Sequence, residues 1–327
     1  MAIASPLPTS VAVAGPDIAD VQRAAATIRI HVLHTPILRS RGIDALADAQ
    51  LAFKCENFQR AGAFKFRGAC NAVWSLSDTD ASRGVVTHSS GNHGAALALA
   101  ARTRGIAAHV VVPEGAVRSK VLAIAAYGAT VHYCAPTFAA REAAAERIRV
   151  ETGATLVHPF TDPAVIAGQG TAALEMLAEI GDLDVLIAPV GGGGLIGGTA
   201  IAAKAHNAGI AVFAAEPEGA ADAFESLRRG MRVTDIVPDT ISDGLRGTIG
   251  EINLALLRRH AVEVLPVDDD QTIAAMRLVF ERMKLVIEPS SATALAAVLR
   301  HARHFRGRRV GVILSGGNAD LDHLPWR

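Results

Sequence analysis

Short apolar segments alternate with alanine-rich helical segments along almost the whole of this 327-residue chain. Several of the apolar segments are uninterrupted runs of Val, Ile, Leu and Ala, which is typical of parallel strands buried on both faces. Strands that alternate with helices of this length predict right-handed crossover units and an open α/β sheet. The predicted strands are 51–55, 84–87, 109–112, 130–133, 154–157, 185–190, 211–215, 262–266 and 310–314. The predicted helices are 94–104, 118–126, 139–152, 170–180, 196–208, 270–283 and 292–303.

Composition and charge exclude several classes of protein. Half of the residues are apolar, a fifth are charged and the formal net charge is zero, which predicts a soluble globular protein rather than a disordered one. Without a basic or acidic run, we expect no nucleic-acid partner and no membrane-surface role. No apolar run approaches the roughly 20 residues of a membrane helix. The first sixteen residues lack a positively charged start and a long apolar stretch, so we interpret them as a tail rather than a signal peptide.

The three cysteines are Cys55, Cys70 and Cys134. Their odd number and the lack of a Cys-x-x-Cys spacing argue against a disulfide framework or a structural zinc site. Reduced thiols in the core are the simpler interpretation, and they suit the cytoplasm.

Three of the predicted strands end in segments rich in Gly, Ser and Asn, at the edge where open α/β sheets bind ligands. The segments are Ser89-Ser90-Gly91-Asn92-His93-Gly94, the four glycines 191–194, and Ser315-Gly316-Gly317-Asn318. Four glycines before a helix let backbone amides approach a phosphate, and a flexible turn is the alternative. The chain has neither a nucleoside-triphosphate loop nor a dinucleotide fingerprint.

Lys65 stands between Phe64 and Phe66, where apolar neighbours could desolvate its amine and depress its pKa. A neutral amine is what Schiff-base formation requires, although most lysines are solvated surface charges. The hydroxyl of Ser90 can pass a proton, and the side chain of Asn92 can donate to a phenolate oxygen or hold a carboxylate. The alternative is a simple turn, because Ser, Gly and Asn are the usual turn residues. His93 taken alone is more typical of a structural residue than of a catalytic one.

Six motifs in one order resemble the fold-type II pyridoxal-phosphate (PLP) enzymes, specifically the serine racemase and serine/threonine dehydratase branch. They are Ala-Phe-Lys-Phe-Arg-Gly-Ala at 63–69, Ser-Ser-Gly-Asn-His-Gly at 89–94, Gly-Gln-Gly-Thr at 168–171, the glycines 191–194, Ala-Glu-Pro at 215–217 and Leu-Ser-Gly-Gly-Asn at 314–318. The resemblance spans about residues 17 to 322 and implies two open, twisted α/β domains with the cofactor in the cleft between them. It implies a discontinuous large PLP-binding domain, 1–74 with 163–327, and a small mobile domain, 84–153.

The resemblance also implies roles for individual residues. Lys65 would carry PLP as a Schiff base, and the remaining cofactor contacts would come from Phe64, Asn92, Gly191, Gly192, Gly193, Gly194 and Ser315. In that set Asn92 would bond the phenolic oxygen, the glycines the phosphate, and Ser315 the pyridine nitrogen. The substrate would be bound by Ser89, Ser90, Asn92, His93 and Arg141.

Glu216, the carbonyl of Ala220 and Asp222 match a divalent-cation site of the same branch, with surface acids at a helix start as the alternative. Two carboxylates and a carbonyl suit a hard cation, Mg²⁺ or else Ca²⁺ or Mn²⁺. The chain departs from the branch at Ala63, where many members have Ser, and at Gly247, where animal racemases have a substrate-facing serine. Resemblance further implies a homodimer.

The predicted reaction is elimination of water from small β-hydroxy amino acids such as L-serine and L-threonine, giving a keto acid and ammonia. Lys65 would remove the α-proton as a general base, and Ser90 would return a proton on the opposite face, so we also expect racemisation. A primary serine racemase, a hydroxyaspartate dehydratase and a catalytically silent PLP-binding module are the alternatives. The sequence leaves open which substrate is preferred and whether a nucleotide activates the enzyme.

Overall fold

The computed structural model describes residues 15–116 and 118–326; residues 1–14 of the predicted tail, Val117 and Arg327 lie outside the described residues. The strands are β1 Ile37–Leu38, β2 Gln50–Cys55, β3 Val85–His88, β4 Ala108–Pro113, β5 Thr130–Cys134, β6 Thr155–Leu156, β7 Val185–Pro189, β8 Ala211–Pro217, β9 Glu263–Val267 and β10 Arg309–Leu314. The helices are α1 Ile18–Ile28, α2 Arg41–Ala47, α3 Lys65–Trp74, α4 Asp78–Ser82, α5 Asn92–Arg104, α6 Arg118–Ala126, α7 Phe138–Thr152, α8 Pro163–Ile180, α9 Gly194–His206, α10 Asp222–Arg229, α11 Glu251–Arg259, α12 Asp269–Met283 and α13 Pro289–Arg300.

The strands form two sheets. The larger has the order β1-β2-β10-β7-β8-β9, and the smaller has the order β5-β4-β3-β6. All neighbours pair in parallel except β1, which runs antiparallel to β2 at the edge. The predicted α/β class of open, mainly parallel sheets is therefore confirmed. Strand β6, which completes the smaller sheet, lies just beyond the predicted segment 84–153.

All nine predicted strands are present, with ends that differ by at most two residues. The sequence pattern missed β1, because a two-residue edge strand has no periodicity. It also missed the helices α1, α2, α4, α10 and α11 and gave no bounds for α3. It placed the start of α8 at 170, although α8 begins at Pro163 behind the side-chain cap of Asp162. Among the described helices, none is long and apolar enough to span a membrane.

Helix α3, which begins at Lys65, is held close to α8 by glycines. A Cβ on Gly168 would lie 2.6 Å from the Cα of Gly68, and one on Gly170 would lie 2.9 Å from the carbonyl oxygen of Gly198 in α9. The Gly-Gln-Gly-Thr motif thus permits backbone contact between three helices, and the Gln169 side chain accepts from Gly68 N at 3.1 Å. The motif fixes the position of α3 relative to the larger sheet.

A buried ion network also anchors α3. The fully buried Arg67 donates from Nε to Glu56 at 2.7 Å and from Nη1 to Glu175 at 2.7 Å. Lys54, on β2, donates to the same Glu175 at 2.7 Å. Because removing one partner would leave an uncompensated buried charge, the network ties the start of α3 firmly to β2 and α8.

Candidate active site

Lys65 is the first residue of α3 and its side chain is half-buried between the two sheets' loops. Its Nζ donates to the carbonyl of Pro159 at 3.0 Å and lies 5.1 Å from the centre of the Phe64 ring. Burial lowers the pKa of the Lys65 ammonium to about 8, against the opposing effect of the Glu288 carboxylate. A substantial fraction of neutral amine is therefore present near pH 8, which is the state that bonds to an aldehyde.

The segment before Lys65 is joined to the segment that follows β10. Phe64 N donates to the carbonyl of Ser315 at 2.9 Å, and Gly317 N donates to the carbonyl of Gly62 at 2.9 Å. Asn318 adds a side-chain bond to the carbonyl of Ala61 at 2.8 Å. These bonds bring Lys65 and the buried Ser315, which are remote in sequence, to the same site.

Asn92, the first residue of α5, reaches the same place from the smaller sheet. Its Nδ2 donates to the two carboxylate oxygens of Glu288 at 2.8 and 3.0 Å. Its Oδ1 accepts from Asn318 Nδ2 at 2.9 Å. The 3% exposed Glu288 directly precedes α13, and its carboxylate makes no hydrogen bond to the first turn of that helix. Burial raises the pKa of its carboxyl group to about 7, although the bond from Asn92 opposes that rise.

Sequence reasoning missed Glu288. The available signal was an acidic residue that follows the apolar run Leu285-Val286-Ile287 and precedes a proline. A carboxylate at the end of such an apolar run is expected to be buried. A buried carboxylate either has a hydrogen-bond or ion-pair partner or has a functional role, since an unpartnered buried charge is costly.

The four glycines 191–194, here called the glycine loop, run from the end of β7 into the first residue of α9 and are closely packed against neighbouring residues. A Cβ on Gly192 would lie 2.2 Å from the ring of Phe160, and Gly193 has a φ of 92°. Among the described residues, the amides of Gly191, Gly192 and Gly193 donate to no backbone carbonyl, and α9 has no side-chain cap. Unpaired amides at a helix start fit a phosphate group.

Ser89 and Ser90 lie half-buried in the connection between β3 and α5. The turn is tight, because a Cβ on Gly94 would lie 2.2 Å from the carbonyl oxygen of Ser89. His93 is 2% exposed, and its Nε2 lies 3.4 Å from the carbonyl oxygen of Val157. Burial holds the pKa of His93 well below its ordinary value, so the ring stays neutral.

Arg141 lies on α7, with its guanidinium 5.5 Å from the centre of the Phe138 ring. Its buried Nε has no hydrogen-bond partner in the part of the chain that the structure describes. A guanidinium with an unused donor near the loop of Ser89 and Ser90 is suited to a carboxylate ligand.

Residues 158–161, here called the 158–161 loop, link Lys65 to the glycine loop and were not predicted from the sequence. Pro159 accepts from Lys65, and Phe160 covers Gly192. Asn253 on α11 donates to the carbonyl of Phe160 at 2.8 Å and also bonds the carbonyl of Gly192. The sequence signal for this loop was the polar and aromatic segment His158-Pro159-Phe160-Thr161, which follows the short strand β6.

The predicted cation ligands lie at the end of β8. Glu216 and Asp222 are 0% and 4% exposed, and no ion pair neutralises either of them among the described residues. Burial raises the pKa of the Glu216 carboxyl to about 8 and that of Asp222 to about 6, and their mutual repulsion adds to the effect on Glu216. Two adjacent buried carboxylates and the buried Ala220 fit a divalent cation with oxygen ligands.

Comparison with known proteins gives one consistent result. The family described as "Pyridoxal-phosphate dependent enzyme" matches residues 28–316. The serine racemase of Dictyostelium discoideum is 47% identical over 311 residues, covering 93% of this chain and 95% of the relative. The β-hydroxyaspartate dehydratase of Paracoccus denitrificans (strain Pd 1222) is 43% identical over 311 residues, covering 95% and 99%. The solved structure of maize serine racemase superposes with a TM-score of 0.92 at 43% identity, covering 94% of this chain and 95% of that one.

Proposed function

Because this chain belongs to the pyridoxal-phosphate dependent enzymes, within their serine racemase and serine/threonine dehydratase branch, we propose that it eliminates water from small β-hydroxy amino acids. The products are a keto acid and ammonia, and serine racemisation is the second activity of the same site. One observation carries the proposal: Lys65, with a pKa lowered to about 8, is linked to Asn92 through Glu288 and to Ser315 through its neighbour Phe64. Its bond to Pro159 links it to the glycine loop, which Phe160 covers.

The residues present fit PLP. The free amides of the glycine loop would hold its phosphate, Ser315 would face its ring nitrogen, Asn92 its phenolic oxygen, and Phe64 would pack beside it. When bound there, PLP would make the α-hydrogen of an amino acid acidic by withdrawing electron density. A neutral serine, rather than a carboxylate, at Ser315 leaves the ring nitrogen unprotonated and so favours elimination.

Lys65 Nζ would act as the base. Its amine lies in buried surroundings that depress its pKa to about 8, so it would accept the α-proton near that pH. The Pro159 carbonyl, which accepts from Nζ at 3.0 Å, would hold the resulting ammonium. Loss of the β-hydroxyl group as water then gives an enamine, and hydrolysis of the released enamine yields the keto acid and ammonia.

Ser90 would serve the opposite face of the substrate. A single lysine can remove and return a proton on only one side of the α-carbon, so inversion needs a second proton donor. Ser90 precedes Asn92 by two residues on the connection from β3 to α5, which Asn92 fixes to Glu288. Ser89, His93 and Arg141 would complete the carboxylate site, with Arg141 contributing its unpaired Nε.

The two relatives are named for different substrates, serine and β-hydroxyaspartate, and one position bears on the choice between them. Gly247 lies beside the glycine loop, where an added Cβ would be 3.8 Å from Gly192 N. Animal racemases resembling this chain carry a serine there, so the present site has more room and one hydroxyl fewer. This difference supports β-hydroxyaspartate, alongside serine and threonine, as a substrate to test.

We further propose that the smaller sheet and its helices form a mobile body, residues 84–153, that closes on the remainder. Lys120 on α6 forms an ion pair with Asp243 of the larger body, and Asn92 bonds Glu288, so both contacts would form on closure. Closure would exclude water from the site. Equal orientations of the two bodies in free and substrate-analogue-bound crystals would contradict this.

Three finer assignments accompany the proposal. Mg²⁺, or Ca²⁺ or Mn²⁺, would occupy the site of Glu216, Ala220 and Asp222. The enzyme would be a homodimer, which light scattering in solution tests directly. A cytoplasmic location is supported by the free thiols of the three cysteines, two of them buried.

The experiment that tests the function is product analysis with a panel of β-hydroxy amino acids. L-serine, D-serine, L-threonine and both threo-hydroxyaspartates are incubated with the holoenzyme, and keto acid, ammonia and substrate enantiomer are measured together. We expect keto acid from at least one L-substrate and the opposite enantiomer of serine. Release of neither product from any substrate would overturn the proposal.

A further inference from the structure

Three side chains with metal-binding atoms meet beside the active site and have no part in the roles above. His88 ends β3, Glu142 follows Arg141 on α7, and His158 opens the 158–161 loop. One nitrogen of each ring and a carboxylate oxygen of Glu142 all lie within 4.8 Å of one another. The two rings pack edge to face with centres 5.1 Å apart. We call these three residues the histidine cluster.

We propose that the histidine cluster binds a divalent transition metal such as Zn²⁺ and that this binding inhibits the enzyme. Two imidazoles and one carboxylate are a ligand set that zinc uses with one position left open. Magnesium and calcium prefer oxygen ligands, so the cluster differs in selectivity from the site of Glu216 and Asp222. In the part of the chain that the structure describes, Glu142 forms no ion pair, and its exposed carboxylate is available to a metal.

The accessibility of the donors supports a regulatory rather than a structural site. His88 is 5% exposed, His158 is half-buried and Glu142 is exposed, so a metal would enter from the surface along Glu142. Donor atoms on a tetrahedral zinc with bonds of about 2.0–2.1 Å lie about 3.4 Å apart, so contacts of up to 4.8 Å can close to that geometry by side-chain rotation and a small shift of the loop. The neighbouring guanidinium of Arg141 opposes a second positive charge, so we expect moderate affinity rather than permanent occupancy.

Inhibition follows from the bonds that His158 already makes. Its Nδ1 accepts from Phe160 N at 3.4 Å and from Thr161 N at 3.2 Å, which leaves Nε2 for the metal. A neutral imidazole that binds metal through Nε2 carries its proton on Nδ1, and that proton would face two N–H donors. Metal binding must therefore displace the 158–161 loop.

Displacement of this loop reaches the site at two points. Pro159 supplies the carbonyl that accepts from Lys65 Nζ at 3.0 Å, and Phe160 covers Gly192. The metal would also join β3 and α7 of the smaller sheet to the 158–161 loop. Because Arg141 lies on α7, this link would restrain Arg141. Occupancy would thus reduce turnover without occupying the substrate position.

The test uses the holoenzyme in excess Mg²⁺, so that the site of Glu216 and Asp222 is saturated. Zn²⁺ is titrated against keto-acid formation, and Co²⁺ binding is followed separately by its visible absorption, which requires no activity. We expect wild type to be inhibited by Zn²⁺ without competition from substrate, and to bind Co²⁺ in a four-coordinate site. The inhibition readout rests on the proposed function, whereas the Co²⁺ readout does not.

Glu142→Gln is the decisive variant, because Glu142 is exposed and its loss should not disturb folding. We expect its basal activity to be kept and the half-inhibiting Zn²⁺ concentration to rise about tenfold or more, with a matching loss of Co²⁺ affinity. His109→Ala is the control. His109 on β4 and His132 on β5 form another imidazole pair, with ring nitrogens 3.1 Å apart, and loss of His109 should leave the inhibition by Zn²⁺ unchanged. Equal Zn²⁺ sensitivity in Glu142→Gln and wild type, relief by Mg²⁺, or no Co²⁺ spectrum would each overturn the proposal.

Discussion

The side-chain amide of Asn92 donates to both carboxylate oxygens of Glu288, at 2.8 and 3.0 Å, across the boundary between the two sheets. This contact places a buried carboxyl group, whose pKa is raised to about 7, next to the amide that we expect to face the cofactor. It also places this group close enough to Lys65 to raise the pKa of the lysine, against the effect of burial. Glu288 therefore opposes the lowering of the Lys65 pKa by burial and also bonds the side chain of Asn92.

The first prediction concerns Glu288→Gln. Removing the charge leaves burial unopposed, so the pKa of Lys65 should fall below about 8 and its amine should be neutral at lower pH. We expect the midpoint of the pH dependence of PLP capture by apoenzyme to move to lower pH, by about half a unit to one unit. Visible absorbance during reconstitution measures it. Glu288→Asp keeps the charge and is the control; a midpoint that moves to higher pH would contradict the argument.

The second prediction identifies the cofactor lysine. Borohydride reduction of the holoenzyme, followed by peptide mapping, should place a phosphopyridoxyl group on Lys65. Lys65→Ala should lose both elimination and racemisation by about a thousandfold or more, because both need the same base. Lys204, on α9, donates to the backbone carbonyls of Ala208 and Ile210, so Lys204→Ala should keep both activities. A label on another lysine would show that the assignment is wrong.

The third prediction separates the two faces of the substrate. Ser90→Ala should abolish D-serine formation and elimination from D-serine, while L-serine still loses its α-proton to Lys65 and yields pyruvate. Chiral chromatography beside a pyruvate assay measures both. Ser89→Ala, which would weaken carboxylate binding, should lower the two activities together. If Ser90→Ala racemises serine at the wild-type rate, another group protonates the second face.

The fourth prediction concerns the glycine loop. A Cβ on Gly192 would lie 2.2 Å from the Phe160 ring, so Gly192→Ala must displace Phe160 or the loop. Overpacking of this kind costs about 1–3 kcal/mol, and the displaced amides should weaken PLP binding. Thermal unfolding of the apoenzyme and a PLP titration measure the two effects. Gly42→Ala on α2 meets nothing within 4 Å and should be neutral or slightly stabilising. Unchanged PLP affinity in Gly192→Ala would argue against a phosphate site there.

The fifth prediction links the cation site to the glycine loop. Asp222 accepts from Ile249 N at 2.7 Å, and the next residue, Gly250, donates to the carbonyl of Gly192 at 3.1 Å. Chelation should leave Glu216 and Asp222 repelling each other, so we expect Tm to fall by about 3 °C or more and PLP affinity to decrease. Mg²⁺ should restore both, but not in Asp222→Asn. A Tm that changes neither with chelator nor with Mg²⁺ would show that Glu216 and Asp222 bind no cation.

The sequence by itself determined the fold class and most of the strands. Parallel strands buried on both faces are mostly apolar, so β7 and the first five residues of β8 are visible as apolar runs without any tertiary information. It also determined the residue types at the strand ends, because phosphate and aldehyde chemistry needs glycine amides and a lysine. The motifs that carry the resemblance are therefore local.

Only the tertiary structure decided which of these residues act on one another. Glu288 lies on an ordinary-looking helix start, and its role appears only because α13 brings it to Asn92, from the other sheet. The carbonyl of Pro159 leaves no signal in the sequence, since every residue has a carbonyl and only the fold selects the one that meets Lys65. The histidine cluster likewise joins β3, α7 and the 158–161 loop, segments whose proximity depends on the order of strands in the smaller sheet. Such contacts are set by packing across long sequence separations, which periodicity and motifs do not encode.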